Sequence, residues 1–439
     1  MDIFITIIAF FGILVVVILV HELGHFVTAK LSGIKVEEFG LGFPPRLLGF
    51  KRGETTYSLN LIPLGGFCRM AGEEDPKAPR SLAGKSVKTR LLVLSSGSIM
   101  NALLPILLFS VAFMIPTALR VGDVVVNEVA PDSPAEQAGI MPGDTILKLD
   151  SRKIRNLNDL AYNTHLNLGA EITLHLSLEV GDVVVNEVVP NSPAERVGII
   201  PGDTILKLDG HEIRNSHYLV YYIHLNLDNE VTLLIARGDA QEGVSLMLRK
   251  GWEVMGMGVE LQNRDDAQEW VSLVPRWDPP EGEGAMGVLV ELESETKIKE
   301  SYPFWEAIPK GTIHSVETFI LFKNEIMRWF IAKEKPQLAG PIGIAELTGE
   351  AAKSGFGVLL EFTAFLSMNL AIINLLPIPG LDGGRIVFVA IEGIRRGKRI
   401  SPKREGLVHL IGFMILILII VLITYQDILR IIRGESLIP

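Results

Sequence analysis

Residues 3–25 read Ile3-Phe-Ile-Thr-Ile-Ile-Ala-Phe-Phe-Gly-Ile-Leu-Val-Val-Val-Ile-Leu-Val20 and then His21-Glu22-Leu23-Gly24-His25. A bilayer core of about 30 Å takes roughly 20 apolar residues per helix, and the run from Ile3 to Val20 carries no charge. Two more uncharged runs follow, Leu91 to Ile115 and Leu407 to Thr424, and a fourth, Phe356 to Leu376, holds a single acid, Glu361. The first run begins beside Asp2 without a basic start and has no small-residue cleavage site behind it, so it reads as a span and not as a leader. The expected fold class is therefore a polytopic α-helical membrane protein with four transmembrane helices.

Composition supports a hydrophobic part joined to an ordinary one. Of the 439 residues 21% are charged, the formal net charge is −10, and no basic stripe offers a footprint for nucleic acid. A lone cysteine, Cys68, excludes an internal disulfide framework and a cysteine-built zinc site. Lysines and arginines concentrate between the first two runs (Lys35, Arg46, Lys51, Arg52) and between the last two (Arg395, Arg396, Lys398, Arg399). With four spans both loops fall on one side, which the positive-inside rule makes cytoplasmic, although Arg430 and Arg433 lie opposite. The long segment from about Pro116 to Gly355 then lies outside the cytoplasm.

His21 and His25 stand four residues apart, so on a helix both imidazoles share a face and reach one ion. Glu22 beside them is placed to take a proton from a water that zinc has acidified. Ionisable groups at membrane depth are costly, which makes function their default reading. A catalytic zinc usually takes three protein ligands, and the other seven histidines lack ligand spacing. The better third ligand is Asp382 in Asn374-Leu-Leu-Pro377-Ile-Pro379-Gly-Leu381-Asp382-Gly383-Gly384, where prolines open the helix and glycines permit close backbone approach. The first and third spans run in the same direction, so His21 and Asp382 reach similar depth. The site predicted is one zinc ion per chain on His21, His25 and Asp382, with Glu22 as catalytic base.

This pairing of HExxH with LDG resembles the site-2 protease family of zinc intramembrane metalloproteases, in its bacterial, sigma-E-regulating branch. The resemblance covers Val20 to about Tyr425. It implies regulated intramembrane proteolysis in a bacterial inner membrane, with the lipid bilayer as surroundings. The implied substrate is a single-span membrane protein, an anti-sigma factor or a remnant signal peptide. Asn374, Pro377, Pro379, Leu381 and Asp382 fit the family's N-x-x-P-x-P-x-L-D-G. Asn369 and Asn374 fall where the family holds substrate backbone. Ile62-Pro63-Leu64-Gly65-Gly66-Phe67 resembles a membrane-associated β-hairpin that pairs with an unwound substrate, with Gly65 and Gly66 as its substrate-binding residues. Gly97-Ser98-Ile99-Met100-Asn101 departs from the family, which has proline after the glycine.

Val121-Gly-Asp-Val-Val-Val-Asn-Glu-Val returns 59 positions later at Val180, and the match runs on to about Leu178 and Arg237. Strand, short helix, Pro-Gly-Asp turn and strand in that order resemble PDZ domains, which bind extended peptides by strand addition. Each head is too short for a whole domain, and two tails follow, Val244-Ser-Leu-Met to Met257-Gly-Val and Val271-Ser-Leu-Val to Met286-Gly-Val. Two arrangements fit: a second domain (about 180–262) inserted into the first, or a truncated first copy.

The expected organisation is a first span at 1–28, a cytoplasmic loop with the hairpin at 29–90, and a second span at 91–115. A PDZ tandem at 116–293 and an amphipathic segment at 294–350 follow, the latter with Phe304, Trp305, Trp329 and Phe330 either at the membrane interface or packed under the PDZ pair. A third span with LDG at 351–390 and a loop, fourth span and tail at 391–439 complete it. The readings from other classes are a non-enzymatic membrane-anchored PDZ scaffold and an intramembrane aspartyl protease, which would need a second carboxylate that Glu361 lies too far out to supply.

Overall fold

A computed structural model of the chain describes residues 2–434 except 74, 228, 239, 248–256 and 334–338. The chain divides into two compact units, Met1–Thr117 with Glu300–Phe322 and Lys335–Pro439, and Ala118–Lys299 with Lys323–Glu334.

The first unit begins with α1 (Asp2–Leu31), followed by β1 (Val36–Arg52), β2 (Thr55–Met70) and α2 (Val87–Met114). Ser86 opens α2 as its N-cap, its side chain accepting from the Thr89 amide. β1 and β2 are long and bent. The stretch Val36–Leu41 is central, pairing with Thr56–Leu59 on one side and with Gly66–Met70 on the other, while Arg46–Arg52 lies outside Thr55–Asn60. Among the described residues Gly66–Met70 pairs on one side only, which leaves it an edge strand.

In the second unit the chain runs β3 (Thr117–Val129), α3 (Pro134–Gln137), β4 (Thr145–Leu149), β5 (Arg152–Lys153), α4 (Leu157–Leu166) and β6 (Ile172–Val188). The same series recurs as α5 (Pro193–Arg196), β7 (Thr204–Leu208), β8 (His211–Glu212), α6 (Ser216–Leu225) and β9 (Glu230–Arg237). β10 (Ala240–Met247), β11 (Met257–Leu273) and β12 (Val288–Glu300) complete it. β11 serves both copies: Met257–Gln262 pairs with Asp182–Val188, and Asp265–Leu273 pairs with Ile172–Val180. β12 joins β3 at the end of the sheet. The cores divide the same way. Val271, Leu273 and Met286 pack with Val124, Leu149 and Leu174 of the first copy, whereas Val244, Leu246 and Met257 pack with Val183, Leu208 and Ile235 of the second. The join between the tail strands at 248–256 lies outside the described residues.

The remaining helices are α7 (Phe304–Ile331), α8 (Pro341–Ser354), α9 (Phe356–Leu375), α10 (Asp382–Ile394) and α11 (Pro402–Arg433). The stretch expected as one span at 351–390 is thus three helical pieces. Gly355, at φ 124°, separates α8 from α9, and the Pro377–Leu381 turn separates α9 from α10. Proline withholds its N–H and crowds the preceding turn, so α9 cannot run on. Asp382 is the first residue of a new helix. Among the described residues four helices are long and apolar enough to cross a membrane, within Phe4–Leu31, Val87–Met114, Phe356–Leu375 and Lys403–Arg433.

Candidate metal centre

One turn of α1 puts His21 and His25 on a common face, their rings edge to face with centroids 4.9 Å apart. Both rings are buried. Their Nε2 atoms stand 3.2 Å from each other, and each is close to the same Asp382 oxygen, Oδ2, at 3.0 Å from His21 and 3.1 Å from His25. One ligand atom from each of the three residues lies within 4.8 Å of the others. The Pro-Gly turn delivers Asp382 here, because α10 starts at that residue and not deeper in a continuous helix.

α2 shapes the cluster from the other side. The Val93 carbonyl lies 2.8 Å from His25 Nδ1. A carbonyl only accepts, so Nδ1 carries the proton and donates it, and His25 Nε2 presents a lone pair to the cluster. A Cβ on Gly97 would fall 2.4 Å from His25 Nε2 and 2.7 Å from His21 Nε2, so only glycine lets the two rings lie against this helix. Gly24 plays the reciprocal part on α1, where a Cβ would meet the Ser96 carbonyl oxygen at 2.4 Å. α2 is tied to α9 as well, the Ser367 hydroxyl donating to the Asn101 carbonyl at 2.8 Å.

A cavity of about 460 Å³ opens beside the cluster. His21, Glu22, His25 and Asp382 line it together with the edge strand Gly66–Met70 and Arg385. A Cβ on Gly66 would sit 2.9 Å from Glu22 Cγ, so the strand passes directly over that side chain. Arg385, one turn past Asp382, reaches Glu73 at 3.1 Å, and Glu73 accepts the Met70 amide at 3.0 Å where the edge strand ends.

Of the residues expected in the site, His21, Glu22, His25, Asp382 and Gly66 come together around this cavity. Gly65, at φ 102°, turns the chain into the edge strand without joining the lining. Asn369 and Asn374 sit half-buried on α9 and also stay out of the lining; the Asn369 Oδ1 is buried with no partner among the described residues. Val93, Glu73 and Arg385 are absent from the sequence reading, and Gly97 enters it only as the glycine that lacks the family's following proline, not as a residue of the site. For Gly97 a signal existed in the small-residue run Ser95-Ser96-Gly97-Ser98 inside an apolar helix.

Two imidazole Nε2 atoms facing one carboxylate oxygen, one of the rings with its Nδ1 proton directed to a backbone carbonyl, suit a borderline cation such as zinc, whose ligands are imidazole nitrogen and carboxylate oxygen. The model of Peptidase family M50 matches residues 9–419. The zinc metalloprotease RasP of Shouchella clausii is 30% identical over 96% of this chain and 98% of its own. RasP of Geobacillus kaustophilus is 30% identical over 96% and 97%, and that of Oceanobacillus iheyensis 27% identical over 97% and 99%. A PDZ domain of an SdrC-like protein from Listeria monocytogenes is 26% identical over 18% of this chain and 87% of its own, at a TM-score of 0.16.

Proposed function

The chain belongs to peptidase family M50, the site-2 proteases, and from that premise we propose that His21, His25 and Asp382 hold its zinc and Glu22 is its general base. It is a membrane metalloprotease with bacterial relatives. The observation that carries the assignment is the convergence of the two Nε2 atoms on Asp382 Oδ2.

When bound, zinc supplies Lewis acidity that brings the pKa of water toward 7 and polarises a carbonyl. The protein's own groups do the rest. Val93 fixes the tautomer of His25, and Gly97 leaves room for both rings. Glu22, in the same cavity, takes the proton from the attacking water and hands it to the departing amine, as a general base and then a general acid.

The substrate is a single-span membrane protein, with an anti-sigma factor or a remnant signal peptide as its natural form. A transmembrane helix hides its peptide bonds and must be extended before hydrolysis. The free edge of Gly66–Met70 supplies backbone partners for the extended chain directly over Glu22. Gly65 and Gly66 keep that edge clear of side chains, and Asn369 and Asn374 steady the substrate on the α9 side. Loop charges place the active site toward the cytoplasm and residues 118–299 outside it. There the shared strand β11 and the divided cores support a second PDZ-like domain, about 180–262, inserted into a first one that Val271 to Leu292 completes. This pair admits substrates by size or terminus.

The test is Glu22→Gln in purified protein reconstituted with a single-span substrate. Cleavage should fall by about 10²–10⁴-fold while zinc content stays at one per chain. Retained cleavage removes Glu22 from the mechanism.

A further inference from the structure

Asp382 opens α10, and α10 is free of α9 because the Pro-Gly turn breaks the helix before it. After Ile394 the chain turns again, with Arg396 and Gly397 at positive φ. Neither neighbour in sequence therefore sets where α10 stands; its packing does. At the far end of the helix, ten residues and roughly 15 Å from Asp382, Glu392 is buried on α2. Arg90 Nη1 of α2, equally buried, donates to Glu392 Oε2 at 2.6 Å. Arg399 Nε donates to the other oxygen at 3.0 Å, and Arg399 also donates to the Ala83 carbonyl just before α2. One acid thus binds α10, α2 and both flanking turns.

Withdrawing an arginine and a carboxylate from water costs several kcal/mol per ion, and an apolar pair of like volume would hold two helices at least as well. What an ion pair adds is direction: it is satisfied in one register and unsatisfied in the next. The same α2 supplies Val93 to His25 and Gly97 to both rings. A helix that fixes two ligands from one side and the carrier of the third by a directional contact behaves as a template.

We propose that Glu392, clamped between Arg90 and Arg399, is a positioning residue for the metal centre, fixing the register of α10 on α2 and so placing the Asp382 carboxylate over His21 and His25. The inference rests on the reading of those three residues as the zinc site. Glu392 touches neither substrate nor metal.

The experiment uses the full chain in detergent with three variants, Glu392→Gln, the apolar pair Arg90→Met/Glu392→Leu, and Asp382→Ala as reference. Zinc affinity is read by chelator competition, ligand geometry by the visible spectrum of the Co²⁺-loaded protein, and folding by circular dichroism. Glu392→Gln and the apolar pair should keep wild-type helicity, bind zinc about 10–100-fold more weakly and show an altered cobalt spectrum. Wild-type affinity and spectrum in a folded apolar pair overturn the proposal. So does a loss of zinc that tracks a loss of helicity in both variants, which assigns the cluster to the fold alone. If Asp382→Ala itself leaves zinc affinity unchanged, it is the ligand assignment that fails.

Discussion

Asp144 and Asp203 in the second unit are fully buried carboxylates, whereas Asp382 in the first is half-buried on the wall of its cavity, and their neighbours differ in kind as well. Asp203 is gripped by both Nε and Nη2 of Arg237 at 2.7 Å, and Asp144 by Nη2 of Arg214 at 2.5 Å. Each also accepts a backbone amide of its own turn, from Ile200 and Met141. Those acids have permanent cations and full hydrogen bonding. Asp382 instead faces two imidazoles, at least one of which turns a lone pair toward it. A buried acid answered by arginine is a structural tie, whereas a half-buried acid facing imidazole nitrogens can share a cation with them.

The largest effect should separate these two kinds. Asp382→Ala should lower zinc affinity by more than the ~10–100-fold that loss of a supporting residue produces, measured by chelator competition, while Asp144→Asn and Asp203→Asn leave metal content untouched. Next comes Gly97→Ala. Its methyl group would sit 2.4 Å from His25 Nε2, so the rings must shift. Zinc affinity should drop about 10–100-fold with helicity preserved, and an unchanged affinity would show that the cluster tolerates displacement.

Within the second unit the two acids are sister positions that drew different partners. Arg214 comes from the second copy to reach the first copy's Asp144, whereas Arg237 belongs to the same copy as Asp203. Arg214 is mostly buried and Arg237 largely exposed. Arg214→Ala should loosen β4 by roughly 1–3 kcal/mol, the cost of a stranded buried acceptor, and Arg237→Ala should loosen β7 by less. Hydrogen exchange of the two strands compares them in one sample.

The smallest expected effect is on pH. Burial pushes the Asp144 carboxyl up to about 6 against the pull of Arg214, while the hydrogen bonds from Arg237 hold Asp203 below its ordinary value. Folded Asp144 keeps its proton where the unfolded chain has lost it, so its contribution to stability falls as pH rises from about 4 to 6. Asp203 works in the opposite sense, its contribution being lost only as pH falls below the ordinary carboxylate range. Exchange protection, corrected for the intrinsic rate, should therefore decline across that window in β4 and hold steady in β7.

How far these features were legible in the sequence follows their range along the chain. The i, i+4 histidines are a local pattern, and Asp382 stands out because prolines and glycines mark a helix break wherever they fall. The two-tail order is a duplication, visible as Val-Ser-Leu before Met-Gly-Val at both Val244 and Val271. Contacts between distant segments leave no such trace. Arg90 and Glu392 are 302 residues apart, and each alone reads as an ordinary charge near a helix end. The reach of Arg214 from the second copy to the first was hidden for the same reason, since Arg214 aligns with Arg155, which turns to Asp159 instead. The bounds 351–390 ran past the span on both sides: α9 alone, Phe356–Leu375, is long and apolar enough to cross a membrane, while the end of α8 and most of α10 are separate helices.

X-ray absorption at the zinc edge of the purified protein tests the centre most directly. The coordination described above predicts two imidazole nitrogens and a carboxylate oxygen at about 2.0–2.2 Å, with the imidazole signal halved in His25→Ala and the carboxylate contribution gone in Asp382→Ala. A zinc shell without paired imidazoles, or one identical in wild type and Asp382→Ala, would contradict it.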